Sequence, residues 1–595
     1  MLQNKDSFVN LLDAPYSRRG SFLCFANDNQ GEDLYGKCNL WLCSSRIKLG
    51  ENFNFNVNNN FRVVKLQLIH DGHPVPYVID TTPCEVAIRS RYGAVRFVFA
   101  ETKLIAAAAD APGISLRLTV QKPMAPMWFQ DPEPVAPPTK TDSAVLDFPV
   151  GKVLVYSDNL WQNSDYVEVR PSLNPGNNGK LVVWFEDFFK AEPKIRDTYP
   201  SYDEGLASVK ADFDGYAARI CPKLPAEFEP GRLKALWQTW QMTVVPDGES
   251  AYKRTMVKMV HSIFEGAFVW QQPLQAIVHS RDLPLAWDIY CSGFEHMGED
   301  GKLTDSLTYE EVPSFGLKPP VHGAALLWLM DNTDFASIPK DSKAWVYDGL
   351  VKWTEFWTKN RDTDGDGVVE FSGLLETGWE DAPYFNVGFP CACPDLNALV
   401  ALQMDALARL GRDIGKPESE CAKWADASKT LAGKLVEKFW NGEEWFAFNA
   451  KTGEKSATHT VSLYFALLLG DRLPKDVIDK SIAYMFADNH FDTKYGLATE
   501  TLDSDYFFHG FTQGSVIAPS SFWLALALEG CGRSDLAKKV SRAYCAMLRD
   551  TGYFHIHNAL TGREDRSLTA FGEKGLFWSA WASSSFLYLA EKYGD

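Results

Sequence analysis

The chain lacks any apolar run long enough to cross a bilayer and any concentrated run of lysine and arginine. No uninterrupted apolar stretch approaches the roughly 18 residues that a transmembrane helix needs. Lys and Arg total 59 against 77 Asp and Glu, which gives a formal net charge of -18. An acidic chain without a basic patch disfavours nucleic acid and membrane partners and fits a neutral small ligand.

We also expect neither a secretory leader nor a disulfide framework. The first residues, MLQNKDSFVNLLDAPYSRRG, have neither the apolar stretch nor the small-residue cleavage site of a signal peptide. The 11 cysteines are an odd number scattered through the chain, which is typical of a reducing compartment. Cys391 and Cys393 have no second pair at metal-ligand spacing, so we interpret both as small buried residues. These features predict a cytoplasmic protein.

What the chain has in plenty is length and aromatic residues. At 595 residues it is too long for one ordinary domain. Aromatics make up 13% of it, including 19 Trp, more than a core alone usually requires. The surplus suits stacking against sugar faces.

The hydrophobic period changes once along the chain. Between about residues 20 and 190, short runs such as FRVVKLQLI, ISLRLTV and KLVVWFE alternate β-branched and aromatic residues between turn residues, a pattern typical of a β-sandwich. From SYDEGLASVKADFDGYAARI onward the period is helical, with room for roughly a dozen helices. No repeat of solenoid length is visible, which favours a closed double ring of helices. We predict a mostly α chain with a β-sandwich domain at 1–195, a helical linker at 196–230 and an (α/α)6 barrel at 231–595.

An acidic loop follows one predicted helix, in RDTDGDGVVEF. Carboxylates at alternate positions of a curled loop converge their oxygens, and a hard cation such as calcium needs several oxygen ligands at once. The spacing is that of the first half of an EF-hand loop, although the closing glutamate is missing and the alternative is a solvated turn whose aspartates cap its own backbone. We predict a structural Ca²⁺ site, and no organic cofactor, with these ligands: Asp362, Asp364, Asp366, the carbonyl of Val368, and Glu370.

The segment that follows carries a family resemblance. RDTDGDGVVEF followed by LETGWEDAPYF resembles the loop of the six-hairpin glycosidases, in particular glycoside hydrolase family 63 and its trehalase relatives. FEGAFVWQQPLQ, GLATETLDSDYFFHGFTQGSVIAPSSFWLALALEG, GYFHIHNALTGRE and GLFWSAWASSSFLYL resemble further landmarks of the family in the same order. The resemblance implies a β-sandwich, a linker and an (α/α)6 barrel with its active site at one mouth.

The activity implied by the resemblance is hydrolysis of an α-glycosidic bond with inversion. One carboxylic acid then protonates the leaving oxygen and one base activates water on the opposite face. Glu380 stands at the family's acid position, and we expect Trp379 beside it to keep it protonated by raising its pKa. Asp381 is the reserve acid, and Glu376 is predicted to hold a backbone group or a sugar hydroxyl.

The other catalytic position departs from the family. His555 stands where the resemblance places the catalytic glutamate, and an imidazole with a pKa near the working pH is a candidate base. Glu500 and Glu573 are substitute candidates from other loops. The family's Trp-Asp is Trp270-Gln271 here, and its Trp-Arg-Gly is Thr512-Gln513-Gly514, so we expect a different sugar. The predicted substrate-binding residues are Trp270, Gln271, Glu376, Trp379, Gln513 and His557.

These departures leave other functions open beside hydrolysis of an α-glucoside or related small glycoside. An inverting phosphorylase would hold phosphate with His555, His557 and Arg563, and a lyase would use His555 to abstract a proton. A non-catalytic relative would keep the barrel and bind sugar without turnover. The sequence leaves the sugar, the linkage, the nucleophile and the oligomeric state open.

Overall fold

The computed structural model describes residues 7–27, 39–46, 62–120, 136–148, 150–260, 266–310, 316–508, 510–564 and 578–595. Its first part is one antiparallel sheet of thirteen strands, in the order β1-β2-β3-β9-β12-β11-β13-β8-β7-β6-β5, with β10 paired to β11 and β4 to β3. The strands are β1 Leu23–Asn27, β2 Leu40–Ser44, β3 Arg62–His70, β4 His73–Val75, β5 Val78–Thr81, β6 Val86–Ser90, β7 Gly93–Glu101, β8 Leu104–Ala109, β9 Ile114–Val120, β10 Thr139–Asp147, β11 Lys152–Gln162, β12 Val167–Val169 and β13 Val182–Phe188.

This sheet agrees with the strands predicted for the first part of the chain, and their arrangement as a β-sandwich stays a prediction. The thirteen described strands are connected into one hydrogen-bonded sheet because β11 pairs with β13 at residues 152–156 and with β12 at residues 160–162. Alternation along the strands nevertheless decides which face is buried, as in β9, where Ile114, Leu116 and Leu118 are buried and the residues between them are partly exposed. The pattern therefore predicted strands and their faces correctly, while the number of sheets depends on pairings between distant strands.

Helix α1, Tyr202–Ile220, joins the sheet to the helical part. It begins with a capping box in which Ser201 and Glu204 bond each other's backbone. It packs on β7, where Gly205 lies so close to Ala100 that a Cβ would stand 2.7 Å from the alanine methyl. The predicted domain boundaries near residues 195 and 230 stay predictions.

The helical part alternates outer and inner elements. The outer helices are α2 Glu229–Gln241, α4 Leu283–Cys291, α6 Lys340–Asn360, α8 Glu418–Phe439, α9 Lys475–Met485 and α11 Ser534–Thr551. The inner elements are α3 Gln272–Val278, α5 His322–Asn332, α7 Pro394–Ile414, the 3-10 segment Val461–Arg472, α10 Ala518–Gly530 and α12 Ala580–Tyr593. No described helix is long and apolar enough to cross a membrane.

The six inner elements form a closed ring. Each contacts the next in the order α3, α5, α7, the 3-10 segment, α10 and α12, and α12 returns to α3. Short strand pairs brace the connections, namely β14 Thr243–Val244 with β15 Met256–Val257, β16 Ala267–Phe268 with β17 Ser306–Leu307, β18 Glu370–Phe371 with β19 Cys391–Ala392 and β20 Phe448–Asn449, β21 Asp492–Thr493 with β22 Gly496–Leu497, and β23 Ser515–Ile517 with β24 Ile556–Asn558.

This alternation gives the ring two different ends. Every inner element is entered from an outer helix, so the six entering segments gather at the N-terminal ends of the inner elements. Helix N-termini carry partial positive charge and favour carboxylates and polar ligands. The entering segments contain the predicted catalytic and substrate-binding residues, which therefore collect at one end of the ring.

Candidate active site

Aromatic side chains from three entering segments and one inner helix meet at this end, which we call the mouth. The Trp270 ring meets the Trp581 ring edge-on at 4.8 Å between centroids. His555 stacks on Trp581 at 5.4 Å, and Phe511 packs on His555 at 5.4 Å. Trp270, Trp581, His555 and Phe511 thus form a continuous wall from α3 across α12 to the segment before α10.

The Glu-Asp segment completes the mouth from the opposite side. Gly378 has a φ of +69°, and a Cβ on it would stand 2.7 Å from the Trp270 ring, so only glycine permits this close approach. Asp381 Oδ1 accepts hydrogen bonds from the backbone N–H of Thr512 at 2.9 Å and from the Thr512 hydroxyl. Gln513 Nε2 donates to the Asp381 carbonyl at 2.7 Å. Gln513 and Asp381, both predicted site residues, therefore hold two loops together.

Glu380 faces a lysine that sequence reasoning did not single out. Lys318 Nζ binds Glu380 Oε1, donates to the Leu375 carbonyl at 3.0 Å and lies 3.9 Å from Asp305 Oδ2. The Lys318 side chain is only 7% exposed, whereas that of Glu380 is 33% exposed. Trp379 packs into the core against Phe465, and the Glu380 carboxylate contacts Lys318, so the structure gives no support to the expectation that Trp379 acts on Glu380.

Three ionisable groups around Glu380 have shifted pKa values. Burial raises the pKa of Asp305 to about 7, because Lys318 only partly opposes the effect and Glu380 adds to it. Burial disfavours the charge of Lys318, but Asp305 and Glu380 together raise its pKa above the ordinary value. Burial also raises the pKa of Asp381, against the hydrogen bonds from Thr512.

The mouth contains buried polar atoms without a hydrogen-bond partner among the described residues. They are both amide atoms of Gln271, Nδ1 of His555 and Nε1 of Trp581. Gln271 is 0% exposed and follows Trp270 directly in the sequence, and His555 and Trp581 are themselves part of the aromatic wall. A buried polar group without a partner costs about 1–3 kcal/mol, so the arrangement suits a ligand rich in hydroxyl groups.

The histidines differ from the prediction in their basicity. Burial, with a smaller contribution from His557, lowers the pKa of His555 to about 3. The prediction of a pKa near the working pH is wrong for His555, which stays neutral and is a weak base. His557 is fully buried, accepts from the Thr551 hydroxyl at 3.1 Å if its Nε2 is unprotonated, and has a pKa that burial lowers to about 3.

Trp379 and Glu376, both predicted to bind substrate, have structural partners, and for Glu376 a backbone group was one of the two predicted partners. Trp379 is 1% exposed and packs edge-on against Phe465 of the 3-10 segment at 5.6 Å, so it fills the core. Glu376 accepts from the Arg361 guanidinium, with Nε at 3.1 Å from Oε2, and from the Ser372 N–H at 2.8 Å. Neither side chain offers a sugar a free surface in the present arrangement.

Of the two substitute candidates for the base, the structure describes only Glu500, which also has structural partners. Glu500 is fully buried and accepts from the His459 N–H at 3.1 Å and from the hydroxyls of Thr460 and Ser504, each at 2.7 Å. These bonds tie the segment before α10 to the segment before the 3-10 segment. Glu573 lies outside the described residues.

The acidic loop brings together three of its five predicted ligands. Oxygens of Asp362, Asp364 and Glu370 lie within 4.8 Å of one another. Gly365 and Gly367 have φ of +75° and +83°, the left-handed conformation that lets the loop curl as predicted.

Other contacts of this loop use its own backbone and two lysines. Asp366 leaves the cluster, because its carboxylate binds Lys438 at 3.0 Å and its carbonyl accepts from Lys434 Nζ at 2.6 Å. Glu370 accepts from the Thr363 N–H and hydroxyl. Asp362 Oδ1 is buried without a partner among the described residues, so one oxygen stays available to a cation. Three carboxylates with one such oxygen fit a hard cation.

Sequence reasoning missed Asp305 and Lys318 because no motif marks them. Asp305 precedes the two-residue strand β17, and Lys318 precedes the Pro-Pro pair before α5. The available signal was positional: both residues lie in a segment that enters an inner helix, as the other mouth residues except Trp581 do. This positional signal can be used only once the order of inner and outer helices in the ring is known.

A ring of paired helices with carboxyl groups, an aromatic wall and unpaired polar atoms at one mouth is an arrangement that suits a carbohydrate-processing enzyme of the glycosidase class. A family model described as a mannosylglycerate hydrolase MGH1-like glycoside hydrolase domain matches residues 270–579. The chain belongs to this family of glycoside hydrolases. No curated protein sequence matches it.

The chain is similar to several solved structures. The GH63 mannosylglycerate hydrolase from Thermus thermophilus in complex with Tris is similar with a TM-score of 0.50 and 15% identity, over 60% of this chain and 99% of that one. The same enzyme in complex with Tris and D-glycerate gives a TM-score of 0.49 at 15% identity, over 60% and 98% of the two chains. Neutral trehalase from Saccharomyces cerevisiae gives a TM-score of 0.44 at 13% identity, over 57% and 74%.

Proposed function

We propose that this glycoside hydrolase cleaves a small α-linked glycoside with inversion, at the mouth of the helical ring. The observation that carries the proposal is the set of unpartnered polar atoms on Gln271, His555 and Trp581, residues of the same mouth as Glu380. Amide, imidazole and indole groups are neutral here and match sugar hydroxyls, whose hydrogen bonds would offset the burial of these atoms. The net charge of -18 fits a small substrate better than a polyanion.

The name of the family narrows the substrate class. Mannosylglycerate, the compound in that name, is a sugar joined to a small partner. We therefore propose an α-mannoside or α-glucoside with a small leaving group. Gln271 and Gln513 stand where the family resemblance places charged residues, so the sugar recognised here differs from the family's usual one.

Glu380 is the residue we place at the reaction centre. Inversion needs one group that protonates the leaving oxygen and one that activates water. Its position in the family motif predicts that Glu380 is the proton donor, whereas its contact with Lys318 suits an ionised carboxylate. Asp381 and Gln513 position the Glu380 segment through their bonds across the mouth.

The geometry supports hydrolysis better than phosphorolysis. A phosphate pocket needs cationic or donating groups that converge. His555 and His557 are neutral, and Arg563 lies exposed on the turn after β24. The lyase alternative weakens for the same reason, since His555 is a weak base.

A product assay tests the proposal. Purified chain is incubated with α-mannosyl glycerate, α-glucosyl glycerate, trehalose and simple α-glucosides, with and without inorganic phosphate. We expect a free sugar from at least one substrate without phosphate, and none from Glu380→Gln. Glu299→Gln, an exposed neighbour of the mouth segments, is the matched control. Strict phosphate dependence or silence on the whole panel would contradict the proposal.

We also propose that the acidic loop binds Ca²⁺ through Asp362, Asp364 and Glu370, and that it stiffens the segment leading to Glu380. Lys434 and Lys438 already neutralise the Asp366 side of this loop, so the ion would complete a partly compensated site. A cytoplasmic location remains a prediction.

A further inference from the structure

The segments that form the mouth carry exposed apolar side chains. Eleven large apolar residues are exposed in the part of the chain that the structure describes, and five of them lie in three segments that enter inner elements. These five are Leu374 and Leu375 before α7, Tyr506 and Phe508 before α10, and Leu560 before α12. The other six are spread over the sheet, its connection to α1 and two outer helices. Single exposed apolar residues are normal, whereas their concentration in one region indicates a binding surface.

Leu375 is attached to the surroundings of Glu380. The Leu375 carbonyl accepts from Lys318 Nζ at 3.0 Å, and the same ammonium contacts the Glu380 carboxylate. The Leu375 side chain is 62% exposed, and its neighbour Leu374 is exposed as well. Apolar surface therefore lies in water next to the ammonium that contacts the residue we place at the reaction centre.

Phe508 is attached to the next residue, Asp381, from another entering segment. Gln513 Nε2 donates to the Asp381 carbonyl at 2.7 Å, and the Phe508 N–H donates to the Gln513 carbonyl at 2.7 Å. The Phe508 side chain is 64% exposed, and Tyr506, two residues earlier, is also exposed. Two entering segments thus bring exposed apolar side chains to the same pair of carboxyl groups, at positions 380 and 381.

The polar atoms that suit a sugar are more deeply buried than these apolar side chains. The atoms without a described partner belong to Gln271, His555 and Trp581, which are all buried. Because sugar hydroxyls can satisfy such atoms, the sugar ring fills the buried end of the mouth. Its leaving group then points outward, to the side where Leu375 and Phe508 are exposed.

The charged groups of the mouth disfavour an anionic leaving group. Lys318 contacts Glu380 and the Leu375 carbonyl and lies 3.9 Å from Asp305, so its buried ammonium is already occupied. Asp381 adds a further carboxyl group to the same region. A carboxylate on the leaving group would meet these carboxyl groups and gain no free ammonium from Lys318, which lowers its affinity.

We propose that the leaving group of the substrate is an uncharged, apolar alcohol, which Leu375 and Phe508 cover while the sugar lies against the aromatic wall. This proposal rests on the proposed hydrolysis and narrows its small leaving group to an apolar one. It separates this chain from the compound in the family name, because glycerate carries a carboxylate. The specificity for the leaving group then resides in exposed side chains that no motif of the family marks.

Two matched sets of glycosides test the proposal, each prepared with α-D-mannose and with α-D-glucose. Methyl, butyl and hexyl glycosides lengthen the apolar leaving group while its intrinsic reactivity changes little. Glyceryl and glycerate glycosides differ by one CH₂OH group that becomes a carboxylate. In the wild type, kcat/KM should rise about tenfold or more from methyl to hexyl. It should also be about tenfold or more higher for the glyceryl than for the glycerate glycoside.

Variants at the exposed positions connect this preference to the mouth. Leu375→Ser and Phe508→Ser should each reduce the ratio of kcat/KM for the hexyl to that for the methyl glycoside by about threefold or more, and the double variant should reduce it further. Leu173→Ser is the matched control, because Leu173 is 61% exposed after β12 of the sheet, and it should keep the wild-type ratio. Thermal unfolding shows that each variant is folded.

Three results would overturn the proposal and leave the hydrolysis standing. They are equal wild-type kcat/KM on the methyl, butyl and hexyl glycosides, a wild-type preference for the glycerate over the glyceryl glycoside, and an unchanged hexyl-to-methyl ratio in the folded double variant. Inactivity of the wild type on every glycoside of both sets would instead refute the proposed hydrolysis, and the proposal on the leaving group with it.

Discussion

Two acidic segments lie ten residues apart in the sequence and have opposite partners in the structure. In the loop 362–370, carboxylates accept from their own backbone, as Asp362 does from the Gly367 N–H and Asp366 from the Val368 N–H. At the mouth, Glu380 and Asp381 are bound by Lys318 and Thr512, from segments more than sixty residues away. The first set shapes its own loop, whereas the second is placed by the ring.

The comparison teaches that composition alone does not show which carboxylates are reactive. Hydrogen bonds from the local backbone favour an ionised, inert carboxylate. Where two carboxyl groups contact the same ammonium of a distant segment, the proton can lie on either carboxyl group. Variants that separate the two kinds of carboxylate should therefore have different consequences.

The largest difference is expected between Glu380→Gln and Glu376→Gln, the same change four residues apart. Glu380→Gln should lower kcat by about 10³-fold or more with an unchanged unfolding temperature, because it removes a reacting group. Glu376→Gln should lower the free energy of unfolding by about 1–2 kcal/mol, because it weakens the Arg361 pair, and should cost less than about tenfold in kcat. Steady-state kinetics and thermal unfolding check both. Equal loss of kcat in the two variants would contradict the distinction between a reacting carboxylate at position 380 and a structural one at position 376.

A smaller difference is expected between the contacts of two lysines, Lys318 and Lys434. Lys318→Met removes the ammonium from Glu380, so kcat/KM should fall by about 10²-fold. Lys434→Met, which removes a bond to the Asp366 carbonyl, should cost stability and leave kcat/KM within about tenfold of the wild-type value. Equal kcat/KM in the two folded variants would show that Lys318 plays no part in the chemistry at the mouth.

The pH dependence of stability provides a test through Asp305. Its folded pKa of about 7 lies above the ordinary value of about 3.9, so the folded chain holds this proton more tightly than the unfolded chain. The contribution is therefore fully present below about pH 4 and is lost as the pH rises through about 7. In denaturant unfolding, the free energy of unfolding of Asp305→Asn should fall by up to about 4 kcal/mol less than that of the wild type over this range. Parallel curves for the two proteins would mean that Asp305 is ionised throughout.

The smallest expected effect is that of calcium. Millimolar Ca²⁺ should raise the unfolding temperature of the wild type by a few degrees through binding to the folded state, and Glu370→Gln should abolish the rise. Activity at saturating substrate should change little. An unchanged unfolding temperature of the wild type in Ca²⁺ would show that Lys434 and Lys438 alone compensate the negative charge of the acidic loop.

Local patterns predicted the local features correctly. The period change located the strands and helices, and the glycines at 365 and 367 predicted the curl of the acidic loop. The family resemblance placed Trp270, Gln271, Glu380 and His555 in segments that the ring brings together. In each case the information lies within a few residues of the feature.

The features that the sequence did not predict depend on contacts between distant parts of the chain. The number of sheets follows from pairings such as β3 with β9, which no single strand specifies. The environment of Glu380 follows from Lys318, and the weak basicity of His555 follows from burial against Trp581. Protonation is set by tertiary neighbours, so no motif at 380 or 555 predicts it.

The central claim is that the mouth supports direct attack of water on an α-glycoside with inversion. Proton NMR of the first turnovers on the best substrate of the panel tests it most directly, because the two anomers of the released sugar are resolved before they equilibrate. The account predicts that the β-anomer appears first in wild type and is absent in Glu380→Gln. Initial release of the α-anomer, or of a sugar phosphate, would contradict it.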